Sequence, residues 1–390
     1  MLTFRVDKVM LVLTTASLLC LLFFDFVSLQ PNRILPGTGF SLFDAVGNSY
    51  AAILIGLLLG MLLLSVTASP KRRYWQLGMT LLTLCLLPFL LTIFASIHIP
   101  ETQTQARTGL GASFWCLVFL LALMLVELKE KLKISTIPNC FIISLVLIIW
   151  FLLYSAGALN SLALVREYTA RATSFHQAVM AHFYLVGGAL LCSTLLGIFL
   201  VFLMRQYKAA ENAIFPLLNF IQTIPSLALF GLLIAPLGYL SSKSEWLQSM
   251  NVSGIGWAPA LIALIAYSLL PMVRNSFVAL NEVSAAVIEA ARGMGMGPIQ
   301  VFFQVRLPLA MPVILEGMRI TTIQAIGLTA VAALIGAGGL GNFIFQGLGQ
   351  AAMDMVLLGA LPILVMALMA DLFFSIIRSF FHHNDRITEH

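Results

Sequence analysis

Apolar residues in this chain of 390 run in long blocks rather than in alternation. Blocks of spanning length occupy 9–29, 46–68, 77–98, 109–127, 138–157, 178–203, 214–237, 257–273, 310–335 and 353–377. Short polar stretches separate some of them, among them Lys71-Arg72-Arg73 and the charged run from Glu127 to Lys133. A helix needs roughly 20 apolar residues to cross hydrocarbon, where an open backbone finds no water to bond. The pattern predicts an all-α polytopic membrane protein with about ten transmembrane helices.

One stretch, 281–310, departs from that pattern and turns amphipathic. Val283, Ala286, Val287 and Ala290 recur at helical spacing, while Glu282, Glu289 and Arg292 stay off that stripe, as in a short surface helix. Gly293, Gly295 and Gly297 then alternate before Pro298, which predicts a helix stop and a tight turn. A second short element, Ile299 to Val305, runs into Leu307-Pro308. Such a loop is either a rigid linker or a helix that docks into a groove on a partner.

Composition narrows the class. The chain is 60% hydrophobic and 9% charged, with a mean hydropathy of +1.00, whereas soluble domains carry about a quarter charged residues. The net charge of +5 is read as membrane orientation, not as nucleic-acid binding. Of the 21 Lys and Arg, Arg33, Arg107, Arg166, Arg171 and Lys243 fall on outer segments and Arg319 inside a span, leaving 15 on inner segments if the amino terminus is inside. That bias predicts both termini and the 274–309 loop in the cytoplasm. Arg5 and Lys8 precede an apolar run that continues to about Leu29 without a small-residue cleavage site, so the first span is expected to be retained. Trp246 and Trp257 read as interfacial anchors.

Candidate chemistry is sparse. Cys20, Cys85, Cys116, Cys140 and Cys192 lie in or beside apolar blocks, without CxxC spacing or a His-Cys cluster, and read as buried thiols. Gly336-Ala-Gly-Gly-Leu-Gly341 spells G-x-G-x-x-G, but no strand precedes it and no acidic residue follows at the required distance. The glycines are expected instead to serve close packing and a break in helix geometry. The chain contains no G-x-x-x-x-G-K-[ST], so nucleotide hydrolysis is expected to belong to a partner. His176 and His182 have no metalloprotease spacing, and the adjacent His382 and His383 read as solvent-facing. Nothing points to an enzyme.

Prolines 216, 225, 236, 271, 312 and 362 lie in or beside spans, where each removes a backbone donor and tends to bend its helix, as a carrier needs. Gln222 and Thr223, just ahead of Pro225, offer polar groups either to a pathway or to helix-to-helix hydrogen bonds. Asp25, His182, Glu316, Arg319, Asp354 and Asp371 are ionisable and near hydrocarbon, so they are expected to pair, to sit at an interface or to line water. Glu316 and Arg319, spaced i, i+3, neutralise one another. The alternative class is an ion-coupled secondary carrier, which calls for an unpaired carboxylate near mid-span.

The string Glu289-Ala290-Ala291, then Gly295, then Val305-Arg306-Leu307-Pro308 resembles the EAA loop of ABC-importer membrane subunits. With Gln222-Thr223-Ile224-Pro225 and the 336–341 glycine stretch, it is similar to permeases for quaternary-ammonium osmoprotectants such as glycine betaine and choline, over about residues 175–380. The first half resembles the long amino-terminal part of YehY-type members. The resemblance implies a type I importer (MetI-like) permease core at 178–380, a connector at 161–177 and a five-span extension at 1–160. It further implies that Glu289, Ala290, Ala291, Gly295, Leu307 and Pro308 couple to an ATPase within the loop 282–308. Gln222, Thr223, Pro225, Gly336, Gly338 and Gly339 are candidates for the translocation path. The implied partners are a cytoplasmic ABC ATPase carrying ATP and Mg²⁺, a periplasmic substrate-binding protein and a second, shorter permease, in the bacterial inner membrane. This chain itself is expected to bind no cofactor, no metal and no nucleic acid.

Overall fold

The computed structural model describes residues 6–382 apart from 34, 36, 67–68, 101, 104 and 135. Arg5, His383 and Arg386 lie outside the described residues, as do the side chains of Cys140 and His382. The chain divides into two units, Met1–Ala170 and Arg171–His390.

In the first unit, α1 (Lys8–Phe23), α2 (Leu42–Ser65), α3 (Pro70–His98), α4 (Ala112–Leu132) and α5 (Thr136–Ser155) are the apolar helices. The apolar block 9–29 is not one helix. Helix α1 stops at Phe23, and Val27–Gln30 forms a strand, β1, flanked by β2 (Thr38–Phe40) and β3 (Arg107–Leu110). The order is β2-β1-β3 and both pairings are antiparallel, with Val27 opposite Phe40 on one side and Leu110 on the other. This small sheet lets the links after α1, before α2 and after α3 satisfy one another's backbone groups. Asp25 sits at that turn, its carbonyl accepting from the Ser113 hydroxyl at 3.1 Å. Glu167, on the short helix α6 (Ala163–Ala170), lies between Arg33 at 3.2 Å and Arg107 at 3.5 Å. At the opposite end Asp7, 5% exposed, accepts from Lys131 Nζ at 2.7 Å, and its own N–H donates to the Ser65 carbonyl. Helices α1 to α4 enclose a core that includes Met10, Leu54, Leu87, Phe94 and Phe114.

The second unit contains α7 (Ala172–Gln206), α8 (Lys208–Thr223), α9 (Ser226–Lys243), α10 (Glu245–Ser249), α11 (Trp257–Asn281), α12 (Ala285–Gly293), α13 (Pro298–Gln300), α14 (Leu307–Ala332), α15 (Gly341–Gly349) and α16 (Met353–His382). Helix α11 packs between α7 and α14, and α16 lies on α14. Lipid is as apolar as leucine, so close van der Waals fit is what holds such helices together. A Cβ at Gly197 would lie 2.9 Å from Met272 Cγ, and one at Gly317 2.8 Å from Asn275 Cβ; these two glycines set how closely α7 and α14 approach α11. Leu195, Phe199, Phe202, Leu368 and Phe373 remain exposed on the outside of the unit, as suits a lipid-facing surface.

Among the described residues, eight helices are long and apolar enough to cross a membrane, and two shorter apolar helices, Lys8–Phe23 and Ser144–Ser155, stand at the two remaining expected positions. The block 214–237 is divided at Ile224-Pro225 between α8 and α9. Of the six prolines, Pro225 alone separates two helices, while Pro216, Pro236, Pro271, Pro312 and Pro362 stay inside theirs. A bent helix retains most of its ladder, so proline by itself does not force a break.

Candidate functional site

Two ends of the second unit gather the residues singled out from the sequence. Helix α12 lies between α11 and α14, at the first end. It stops as a glycine-capped helix does: the Gly295 N–H donates to the Arg292 carbonyl at 2.9 Å, and the Met296 N–H to the Ala291 carbonyl at 3.2 Å. Gly295 carries the φ of +87° that this cap requires. Ile288 and Ala291 are buried against Val301, with Val283, Met296 and Val305 beside them. Ala286, Val287, Glu289 and Ala290 are exposed, so the apolar stripe read from the sequence is mostly uncovered, and a different pair of residues anchors the helix. Ala291 turns inward, away from Glu289 and Ala290.

The stretch expected as a separate short element is helical from Pro298 onward and continuous with α14, making one segment, Pro298–Ile335, of 38 residues. Its Val301–Arg306 portion is a π-helix, in which the Leu307 N–H reaches the Phe302 carbonyl. The wide turn stands just before Pro308, which has no N–H for the Gln304 carbonyl one turn earlier. Leu307 and Pro308 are the first two residues of α14.

At the other end, α14 runs through a 3₁₀ turn, Ala333–Ile335, into Gly336, Gly338 and Gly339, with φ of +77°, +81° and +82°. The Gly256 N–H donates to the Ile335 carbonyl at 2.8 Å and ties the start of α11 to this turn. Helix α15 then folds back so tightly that a Cβ at Gly341 would strike the Ala330 carbonyl. A cavity of about 440 Å³ opens between the start of α7 and the start of α15, with Gly338 and Gly339 in its wall. His182 is fully buried behind Gly339; its Nε2 lies 3.1 Å from the Ile326 carbonyl.

The break between α8 and α9 is held by a residue that the sequence did not mark. The Tyr267 hydroxyl on α11 donates to the Ile224 carbonyl at the break, and Gln222 Nε2 donates to the Tyr267 carbonyl at 2.5 Å. Thr223 bonds within its own helix, to the Phe220 carbonyl at 2.7 Å. A phenol in an apolar block reads as packing, and only the position of the break shows what it caps. The ionisable residues of α14 and α16 form a network wider than the expected pair: Arg319 meets Asp371 at 2.6 Å and Glu316 at 3.2 Å, and Arg378 meets Glu316 at 3.1 Å. Asp371 is thus paired, against the need of an ion-coupled carrier. Among the described residues no group of three metal-ligating side chains occurs.

A bundle of membrane-length helices that holds out a short, glycine-capped helix beside its core describes a permease-type subunit. Residues 193–383 match the family described as binding-protein-dependent transport system inner membrane component, and residues 6–165 match ABC transporter permease YehY, N-terminal domain. Over 197 residues the chain is 35% identical to the glycine betaine/carnitine/choline transport system permease protein OpuCD of Bacillus subtilis, covering 50% of this chain and 79% of that one. Over 190 residues it is 37% identical to the osmoprotectant import permease protein OsmW of Salmonella typhimurium, covering 49% and 83%. A chain of the MetNI methionine ABC transporter in an inward-facing conformation is similar with a TM-score of 0.45 and 21% identity, over 54% of this chain and 98% of that one. The protein belongs to the binding-protein-dependent inner membrane components of ABC transport systems. It is a multi-pass membrane permease of a kind that works with an ATPase and a substrate-binding protein.

Proposed function

We propose that this chain is the membrane subunit of an ATP-driven importer for a quaternary-ammonium osmoprotectant such as glycine betaine. The observation that carries the coupling half of this reading is α12: anchored through Ile288 and Ala291, exposing Val287, Glu289 and Ala290, and followed by a helix that runs unbroken to the glycine end. A push on α12 is therefore delivered to α14. The substrate half is supported by the osmoprotectant permeases to which the chain is similar.

In this reading α12 is received by a cytoplasmic ATPase that holds ATP and Mg²⁺, and both termini lie on the same side, as the positive-inside bias indicates. A periplasmic receptor delivers the solute to the glycine end. A second permease, a shorter homologue, completes the pore. Gly295 sets the turn after the docking helix, Leu307 and Pro308 start the rod behind it, and Gln222, Thr223 and Pro225 border the path.

The test is a mild-detergent pull-down of tagged protein from its native membranes, paired with uptake of labelled glycine betaine. Glu289→Lys is expected to leave the protein inserted and to cut ATPase recovery and uptake on the order of tenfold, because a small docking face tolerates like-charge contact poorly. Unchanged uptake at normal expression would refute the docking role. Uptake that survives ATP depletion and stops on collapse of the ion gradient would favour a secondary carrier.

A further inference from the structure

Cys20 and Cys116 come from distant parts of the sequence and meet in the first unit. Helix α1 lies along α4, and the contacts at its two ends show that the pair is antiparallel. At one end the Lys131 ammonium of α4 meets Asp7, the residue that caps α1, at 2.7 Å. At the other, the Gly111 N–H donates to the Phe26 carbonyl at 3.0 Å, and the Ser113 N–H and hydroxyl both donate to the Asp25 carbonyl at 3.1 Å. The register of the two helices is thus fixed from both ends. Cys20 is the fourth residue from the end of α1 and Cys116 the fifth of α4, so each stands about 4.5–6 Å from the pinned turn. There the two thiols lie within hydrogen-bond reach of one another.

Such a contact is close to what a disulfide requires, with Cα atoms about 4.4–6.8 Å apart. Helix axes packed about 8–10 Å apart, with Cα atoms about 2.3 Å from each axis, bring directly facing Cα atoms to about 3.5–5.5 Å, and the two ranges overlap. Neither thiol is enclosed: both are half-buried, whereas Leu21 and Leu117 next to them are buried. Cys85 and Cys192 stand instead near the middles of α3 and α7, where hydrocarbon keeps water and ionic oxidants away. The end of the unit near Cys20 and Cys116 also carries Arg33 and Arg107, which the charge bias assigns to the outside. Outside a bacterial inner membrane, disulfides form and persist.

We infer that Cys20 and Cys116 are a modification site, a thiol pair that closes to a disulfide by exchange with a disulfide outside the membrane. One protein thiolate attacks the incoming disulfide and expels one thiolate from it. The second protein thiolate then attacks the sulfur now bound by the first and expels the other. The two protein thiols give up two electrons and two protons in all, and the incoming disulfide leaves as two thiols. The new bond closes a loop that holds α2, α3 and all three strands, and closing so long a loop constrains the unfolded chain strongly. As a site the pair stands alone; its access from outside rests on the orientation adopted above.

The experiment uses the full-length chain, reduced and then exposed to oxidised glutathione in lipid nanodiscs, where both faces are open. Free thiols are counted after denaturation by the mass each gains from a polyethylene-glycol maleimide. The chain has five cysteines, so the reduced protein is expected to gain five additions and the oxidised protein three, five less the pair, with a peptide joining residues 20 and 116 in its digest. In Cys20→Ser and Cys116→Ser at most one thiol is lost, as a mixed disulfide with glutathione, while Cys85→Ser loses two as wild type does. Oxidation is expected to raise the melting temperature of wild type by several degrees and to leave that of Cys20→Ser unchanged. A reduced Cys20→Ser protein that melts like reduced wild type shows that the variant folds; where serine lowers that temperature, Cys20→Ala replaces it. Five free thiols after oxidation, a loss of two that survives in Cys20→Ser, or a bond between two chains instead of within one would overturn the site. In membrane vesicles, oxidised glutathione, which is charged and does not cross the bilayer, is expected to close the pair only when the periplasmic face is outward. Closure only in inverted vesicles leaves the site standing and overturns the orientation.

Discussion

Gly341 and Gly327 are both helical glycines of the second unit, and a methyl group meets opposite surroundings at the two. At Gly341 it strikes the Ala330 carbonyl, while at Gly327 nothing lies within 4 Å. Gly341→Ala is therefore expected to lower the melting temperature by several degrees, through overpacking of about 1–3 kcal/mol. Gly327→Ala should raise it slightly, because alanine is the better helix former by up to about 1 kcal/mol. Thermal unfolding of the two variants in the same detergent decides both. Some residues announced themselves: Gly295 could be placed at a turn because glycine is the residue that accepts a positive φ at low cost. Tyr267 could not, since it is defined by a helix break, which leaves no trace in spacing.

Elements were legible where one periodicity dominates and illegible where two structures share one apolar block. Residues 9–29 read as a single span because Phe24, Phe26, Val27 and Leu29 carry the apolar run past the end of α1 and into strand β1. Helix α12 shows a different limit. Hydrophobic spacing identified an apolar stripe correctly, but not which side would be covered, and the anchor fell to Ile288 and Ala291. At this scale the α14–α16 ion network makes its own prediction. Arg319 bridges Glu316 and Asp371, so Arg319→Gln takes the ion-pair partner from Asp371 and leaves Glu316 with Arg378 alone. The melting temperature is expected to drop more for Arg319→Gln than for Asp371→Asn, and the double variant should recover part of the loss. Additive losses in that double-mutant cycle would show that the charges act independently.

At the scale of the molecule, apolar block length gave the helical class and the approximate number of spans, because hydrocarbon permits few other solutions. The sheet β2-β1-β3 escaped, its strands being three or four residues long and brought together from links far apart in sequence. The charge bias also has a direct check. In a background without native cysteines, Met294→Cys is expected to react with a membrane-impermeant thiol reagent only from the cytoplasmic face, and Ser249→Cys only from the other. The reverse labelling would invert the whole assignment of coupling and receptor ends.

The π-helix before Pro308 has a geometric consequence for everything behind it. A π turn holds an added residue within an α-helical course, and each residue advances the helix by about 100°. The face that α12 presents is consequently set in phase with α14 by that single wide turn, as the bit of a key is set by the cut of its shank. Length at this place encodes angle: losing one residue between Val301 and Arg306 would shorten the rod by only about 1.5 Å, yet swing the exposed face of α12 about a quarter turn relative to α14.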